Sequence, residues 1–211
     1  MNIKDYSLKI KGKCLINNCD LKFYSGKINH IVGKNGVGKS QLAKDFLLNN
    51  SGYISKSISS NTTLISSFSN IPNDISKDFL LNILKNKFNN HKDKFFEIYK
   101  ILNIEDIPSR VLIKNLSDGQ KQKLKFLSFL LEDNKLIVLD EVTNALDKKT
   151  VNEIYNFLND FIKSNPSKII LNITHNLSDL SNLPGKYFNF ENQKIEEYIS
   201  REKLIDDYIN L

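Results

Sequence analysis

The sequence predicts an α/β protein: a mainly parallel sheet with helices outside it, a β-rich layer at the N-terminal end and a helical subdomain over about residues 70–132. Three observations predict it. Short apolar runs at 27–32, 136–139 and 169–173 read as buried strands, and the last two end on polar residues. Segments of helical spacing separate them, as strand–helix alternation in a parallel sheet requires. A glycine-rich turn sits directly between the first run and a helix. At 211 residues the chain suits a single domain, 1–211, long enough to bury most of its apolar surface without staples.

The elements follow in order. Residues 3–11 alternate, with Ile3, Leu8 and Ile10 apolar among Lys4, Asp5 and Lys9, as a half-exposed strand does. Gly12-Lys13 turns the chain into a second strand at 14–24, broken by Asn17-Asn18, and Ser25-Gly26 leads into the strand at 27–32. The glycine turn occupies 33–40, and the helix at 41–48 places Leu42, Phe46 and Leu47 at helical spacing. After a loop at 49–52, residues 53–54 and 62–68 read as short strands. Helices are expected at 75–88, 92–102 and 117–131, with Asp106-Ile107-Pro108 breaking the pattern between the last two. The strand at 136–139 ends in Asp140-Glu141, a helix spans 148–162, and the strand at 169–173 ends at Thr174-His175. Strands at 187–190 and 194–198 close a hairpin around Glu191-Asn192-Gln193, and 201–210 forms a terminal helix.

Ligands of such sheets bind beyond the carboxyl ends of the strands. Residues 33–40, Asp140, Glu141 and His175 all fall there. The turn reads Gly33-Lys34-Asn35-Gly36-Val37-Gly38-Lys39-Ser40, followed by Gln41, and matches G-x-x-x-x-G-K-[ST] in its strand–loop–helix context. A match of this kind arises by accident in roughly one chain of this length in a hundred, so a nucleotide site is the stronger reading. Gly33, Gly36 and Gly38 let bare backbone N–H groups approach a di- or triphosphate. Lys39 can reach the β- and γ-phosphates, and the Ser40 hydroxyl can ligate Mg²⁺. Asp140, ending an apolar strand, is placed to hold Mg²⁺ as a Walker-B carboxylate does. Glu141 beside it can orient or deprotonate an attacking water. His30 and His91 lack such a setting and receive no role.

The net charge of +6 is spread along the chain and reads as a solvated lysine-rich surface, the alternative being attraction to an anionic membrane face or nucleic acid. No apolar run is long enough to span a membrane and no signal core follows Met1, so a cytosolic protein is expected. Cys14 and Cys19, without a nearby His or further Cys, read as two small apolar residues.

Leu116-Ser117-Asp118-Gly119-Gln120 opens a helix 23 residues before Asp140. Here the chain resembles the ATP-binding cassette (ABC) family, whose signature Leu-Ser-Gly-Gly-Gln differs at one position. Asn144-Ala145-Leu146-Asp147 is similar to the family's D-loop, and His175, 34 residues after Glu141, to its switch histidine. The resemblance covers essentially the whole chain. It implies a P-loop NTPase core, ATP and Mg²⁺ as cofactors, and catalysis by Glu141 with His175. It also implies a head-to-tail pair of cassettes, a homodimer or two related chains, in which Ser117, Gly119 and Gln120 of one meet the nucleotide of the other. The partner in transport is a separate integral membrane permease, so the chain sits peripherally on the inner face of the membrane. Residues 66–71 and the aromatics Phe68, Phe79, Phe88, Phe95, Phe96 and Tyr99 are expected to contribute to a groove that receives a cytoplasmic helix of that permease.

More narrowly, the chain resembles the small cassettes encoded beside ribosomally made, modified peptides, including the epipeptide type, which implies peptide export or self-protection. Nucleic acid is not expected as a partner. The 76 residues between Ser40 and Ser117 leave no room for the long coiled coil of DNA-repair ATPases. Three departures from the family stand out. No Gln occurs between Gln41 and Gln120, leaving Ser69 or Asn70 to replace the Q-loop glutamine. No aromatic occurs at Ile10 or Lys11 to stack on adenine, and Tyr6 is the nearest candidate. Asp118 puts a carboxylate where a glycine meets phosphate, which leaves open a regulatory or sensory cassette of low turnover.

Overall fold

The computed structural model describes residues 1–209. β1 (Asn2–Ile10) and β2 (Lys13–Lys22) form an antiparallel two-stranded sheet. Lys11 and Gly12 between them both take left-handed backbone, as a tight two-residue hairpin turn requires. The break expected at Asn17-Asn18 is a local irregularity instead. Asn18 turns left-handed, the pairing register shifts, and the strand continues.

The second sheet has six strands in the order β4-β5-β6-β3-β7-β8, parallel except for the β7–β8 hairpin. They are β3 (Lys27–Val32), β4 (Thr62–Ile65), β5 (Leu136–Asp140), β6 (Ile169–Thr174), β7 (Gly185–Glu191) and β8 (Lys194–Tyr198). Alternate side chains of the central strands feed two cores. Leu136 and Val138 pack with β1, β2 and the helix α1 (Lys39–Leu48) on one face. Ile137 and Leu139 pack on the other face with α3 (Lys77–Lys87), α4 (Lys92–Ile101), α5 (Asp118–Leu130) and α6 (Lys148–Ser164). The short helices α2 (Lys56–Ser59) and α7 (Leu177–Asn182) and the terminal helix α8 (Arg201–Ile209) complete the fold. Residue 210, the expected end of that last helix, lies outside the described residues.

Two expected strands differ. Residues 53–54 form no strand: the Ile54 N–H donates to the Asn49 side chain at 2.9 Å, and the chain enters α2 directly. The strand expected at 62–68 stops at Ile65, because serine hydroxyls compete for the next backbone groups. Ser69 Oγ accepts from the Ser66 N–H at 3.1 Å, and Ser66 Oγ from the Phe68 N–H at 3.1 Å.

His30, on the central strand β3, is fully buried and stacked on Tyr187. Its Nε2–H donates to the Leu183 carbonyl at 2.8 Å, and Nδ1 accepts from the Asn172 amide at 3.2 Å. The ring is therefore neutral, and burial pushes its pKa down to about 4. The unfolded chain takes up this proton below about pH 6.5, whereas the folded chain does so only near 4, so stability falls as pH drops through that window. Between pH 7.5 and 5 this site should cost about 2 kcal/mol. Urea unfolding of the wild type and His30→Leu at both pH values checks it. The wild type should lose stability more steeply, and equal slopes would remove His30 from the account.

Candidate nucleotide site

Residues 33–38 leave β3 and turn tightly into α1. Gly38, at φ 117°, occupies the helix N-cap position with no capping side chain, so the start of α1 keeps unpaired donors for an anion. A Cβ on Gly38 would come within 3.1 Å of Leu15, and one on Gly33 within 2.6 Å of the Phe190 carbonyl. Both glycines are thus demanded by close packing as well as by chain direction. The Lys39 ammonium, buried, arches back to donate to the carbonyls of Gly33 at 2.7 Å and Lys34 at 3.1 Å. Burial lowers its pKa, while Glu141 and Asp140 oppose that shift by their negative charge.

Asp140 ends β5, buried, and shares the lining of one cleft with Ser40. Burial raises its pKa. Its Oδ1 is the buried side-chain oxygen without a hydrogen-bond partner among the described residues. Such orphans are uncommon and call for an explanation. A hydroxyl and a carboxylate are hard oxygen donors of the kind that Mg²⁺ selects, so these residues fit that ion.

Glu141 follows with left-handed backbone, its N–H bonded to the Ile173 carbonyl of β6. Its Oε1 accepts from His175 Nδ1 at 2.9 Å, which places the proton of the imidazole on Nδ1, and its Oε2 accepts from the Asn144 amide at 2.9 Å. A depression of about 290 Å³ is lined by Asn35, Gly36, Gly38, Lys39, Ser40, Gln41 and Glu141. An adjoining cleft of about 540 Å³ brings Ser40, Asp140 and Glu141 together with Asn70 and the start of α5.

The structure thus brings residues 33–41, Asp140, Glu141 and His175 to one place. Ser117, Gly119 and Gln120 line neither cavity. Ser117 and Gln120 cap α5 reciprocally, Ser117 Oγ accepting from the Gln120 N–H at 3.2 Å and Gln120 Oε1 from the Ser117 N–H at 3.0 Å. Gly119 is held against Thr150 of α6, where a Cβ would lie 2.6 Å from the hydroxyl. Asp118 is exposed, with Lys121 3.7 Å away.

Of the two residues offered in place of the missing glutamine, Ser69 is spent within its own loop, donating to the Leu64 carbonyl at 2.8 Å, whereas Asn70 lines the cleft. Tyr6 does not serve as a base-stacking residue. It is fully buried and its hydroxyl donates to Asp45 at 2.8 Å, because the left-handed backbone at Asp5 and the register shift between Ile3 and Tyr6 turn it to the buried face with Ile3 and Leu8. Sequence reasoning missed the hold of Asn144 on Glu141, although their i, i+3 spacing across a turn was a visible signal.

A family profile described as "ABC transporter" matches residues 16–144. Over 210 residues, and the full length of both chains, the sequence is 63% identical to the "Probable peptide export ATP-binding protein YydI" of Bacillus subtilis (strain 168). It is 25% identical over 241 residues to the "Probable ABC transporter ATP-binding protein p29" of Mycoplasma genitalium, covering 100% of this chain and 98% of that one. A solved structure titled "Structure of ATP binding subunit of ABC transporter" superposes with a TM-score of 0.78 at 15% identity, covering 99% of this chain and 98% of that one, a likeness of fold. The chain belongs to the ABC transporter family as an ATP-binding subunit, an ATPase that powers transport in association with a membrane permease and a second cassette.

Proposed function

We propose that this chain hydrolyses Mg²⁺-bound ATP to drive export of a peptide through a separate permease. The observation that carries the chemistry is the Glu141 carboxylate, hydrogen-bonded on both oxygens at the rim of the phosphate loop, one residue from the orphaned oxygen of Asp140. Peptide as cargo rests on the 63% identical relative named for peptide export.

The loop N–H groups and the Lys39 ammonium bind the phosphates. Ser40 and Asp140 would hold Mg²⁺, which when bound offsets phosphate charge. Glu141 takes a proton from the water whose oxygen attacks the γ-phosphorus, as the bond to the bridging oxygen breaks. His175 orients Glu141 by donating from Nδ1. Ser117, Gly119 and Gln120 of one cassette complete the site of its partner, in keeping with their absence from the lining of both cavities in the single chain.

Docking to the permease falls to residues 66–71 and to exposed aromatics of the helical subdomain. Phe68, Phe79 and Phe96 are exposed, while Phe95 is buried in the core and Phe88 and Tyr99 pack partly against it. No helix of the described residues is long and apolar enough to cross a membrane.

Glu141→Gln should bind ATP normally and lose hydrolysis by about 10²-fold or more, the usual cost of removing a general base. Phosphate-release kinetics check this, and turnover near the wild-type rate would exclude Glu141 as the base. With Tyr6 buried and Ile10 and Lys11 non-aromatic, base recognition has little to stack on. ATP and GTP should bind with affinities within about tenfold, roughly 1.4 kcal/mol. Calorimetric titration with each nucleotide tests it, a far larger preference revealing an adenine contact elsewhere.

A further inference from the structure

Both carboxylate oxygens of Glu141 are engaged within the chain, and the hydrolytic reading uses only the His175 side. The second partner, Asn144, donates from Nδ2 to Oε2 at 2.9 Å. It stands three residues after Glu141, and its backbone N–H closes the turn onto the Glu141 carbonyl at 3.3 Å. Glu141 and Ala145, on either side, lie at φ 55° and 59°. Non-glycine residues keep such backbone only where their surroundings hold them in it.

Those surroundings are identifiable. Thr143, inside the turn, donates its hydroxyl to the buried Asp179 carboxylate, 3.0 and 3.2 Å from its two oxygens. Asp179 also accepts from the Tyr155 hydroxyl at 2.7 Å, which ties it to α6. The turn is therefore anchored from beneath, and the direction of the Asn144 side chain is set by that anchor. An amide suits this place. Nδ2 donates to an anion, yet the side chain carries no charge that would neutralise a base, as a lysine would.

We infer that Asn144 is a positioning residue for hydrolysis: with His175 on the opposite oxygen, it fixes the Glu141 carboxylate in the orientation from which it takes the proton of the attacking water. This rests on the reading of Glu141 as the base.

The test uses the full chain with Asn144→Ala, the isosteric Asn144→Asp, Glu141→Gln and the double variant Glu141→Gln/Asn144→Ala. The readouts are kcat, KM for ATP, binding of a fluorescent ATP analogue, ATP-dependent dimerisation by light scattering and thermal melting. Asn144→Ala should lower kcat about tenfold or more, the loss of a hydrogen bond to a charged group, with KM and analogue binding unchanged. Asn144→Asp keeps the shape and replaces the donor with a like charge, and should lose more. In the Glu141→Gln background Asn144→Ala should add no further loss, because residues that act through one another are not additive. ATP-dependent pairing of Glu141→Gln should survive the second change. Wild-type kcat in either Asn144 variant, a further tenfold loss in the double variant, or loss of pairing would each overturn the role of Asn144. Wild-type turnover in Glu141→Gln would instead overturn the base itself, and Asn144 with it.

Discussion

The site depends on three neighbouring parallel strands that end level with one another. In the β5–β6 pairing Asp140 lies opposite Ile173, and in the β3–β6 pairing Val32 lies opposite Thr174. The phosphate loop, the Asp140-Glu141 pair and His175 therefore leave the sheet side by side, though they are far apart in sequence. A slip of one residue in either register would move Asp140 or His175 to the opposite face. The apolar runs of β5 and β6 guard against that slip, since both faces of the sheet are filled by separate cores.

Beneath the strand ends lies a buried polar network. Asp179 accepts hydrogen bonds from Thr143 and Tyr155, and Asn172 donates to His30. Its members join β3, β6, α6, α7 and the turn after β5. Buried polar groups of this kind rigidify a site when each is paired. The contrast with Asp140 is instructive. The network beneath the site is paired throughout its hydrogen bonds, while Asp140, directly beneath the phosphate loop, keeps one oxygen without a partner. That difference separates scaffold from binding surface.

Much of this was legible in the residues. The strand at Lys27–Val32, the glycine loop and the apolar run ending in Asp140-Glu141 carry short-range signals whose physics is local. The capping of α5 by Ser117 was equally readable. Other features depend on tertiary contacts that no local pattern encodes. The inward turn of Tyr6 toward Asp45 joins residues 39 apart. The neutral burial of His30 depends on Asn172, 142 residues away, and on Leu183. The early end of β4 had a local cause, serine hydroxyls capturing backbone donors, but Ser-rich sequence supports either outcome until the loop closes. Asp179, which no local pattern marks, is the buried anchor of the turn after β5.

Ser40 and Asp140 would hold the metal that accompanies a nucleotide on the phosphate loop. The most direct measurement is electron paramagnetic resonance of Mn²⁺, a Mg²⁺ surrogate, with a non-hydrolysable ATP analogue, comparing the wild type with Asp140→Asn. One Mn²⁺ per chain should bind, only with nucleotide, and its affinity should fall about tenfold or more in Asp140→Asn, the scale of losing one charged ligand contact. Equal Mn²⁺ affinity in the two proteins would contradict it.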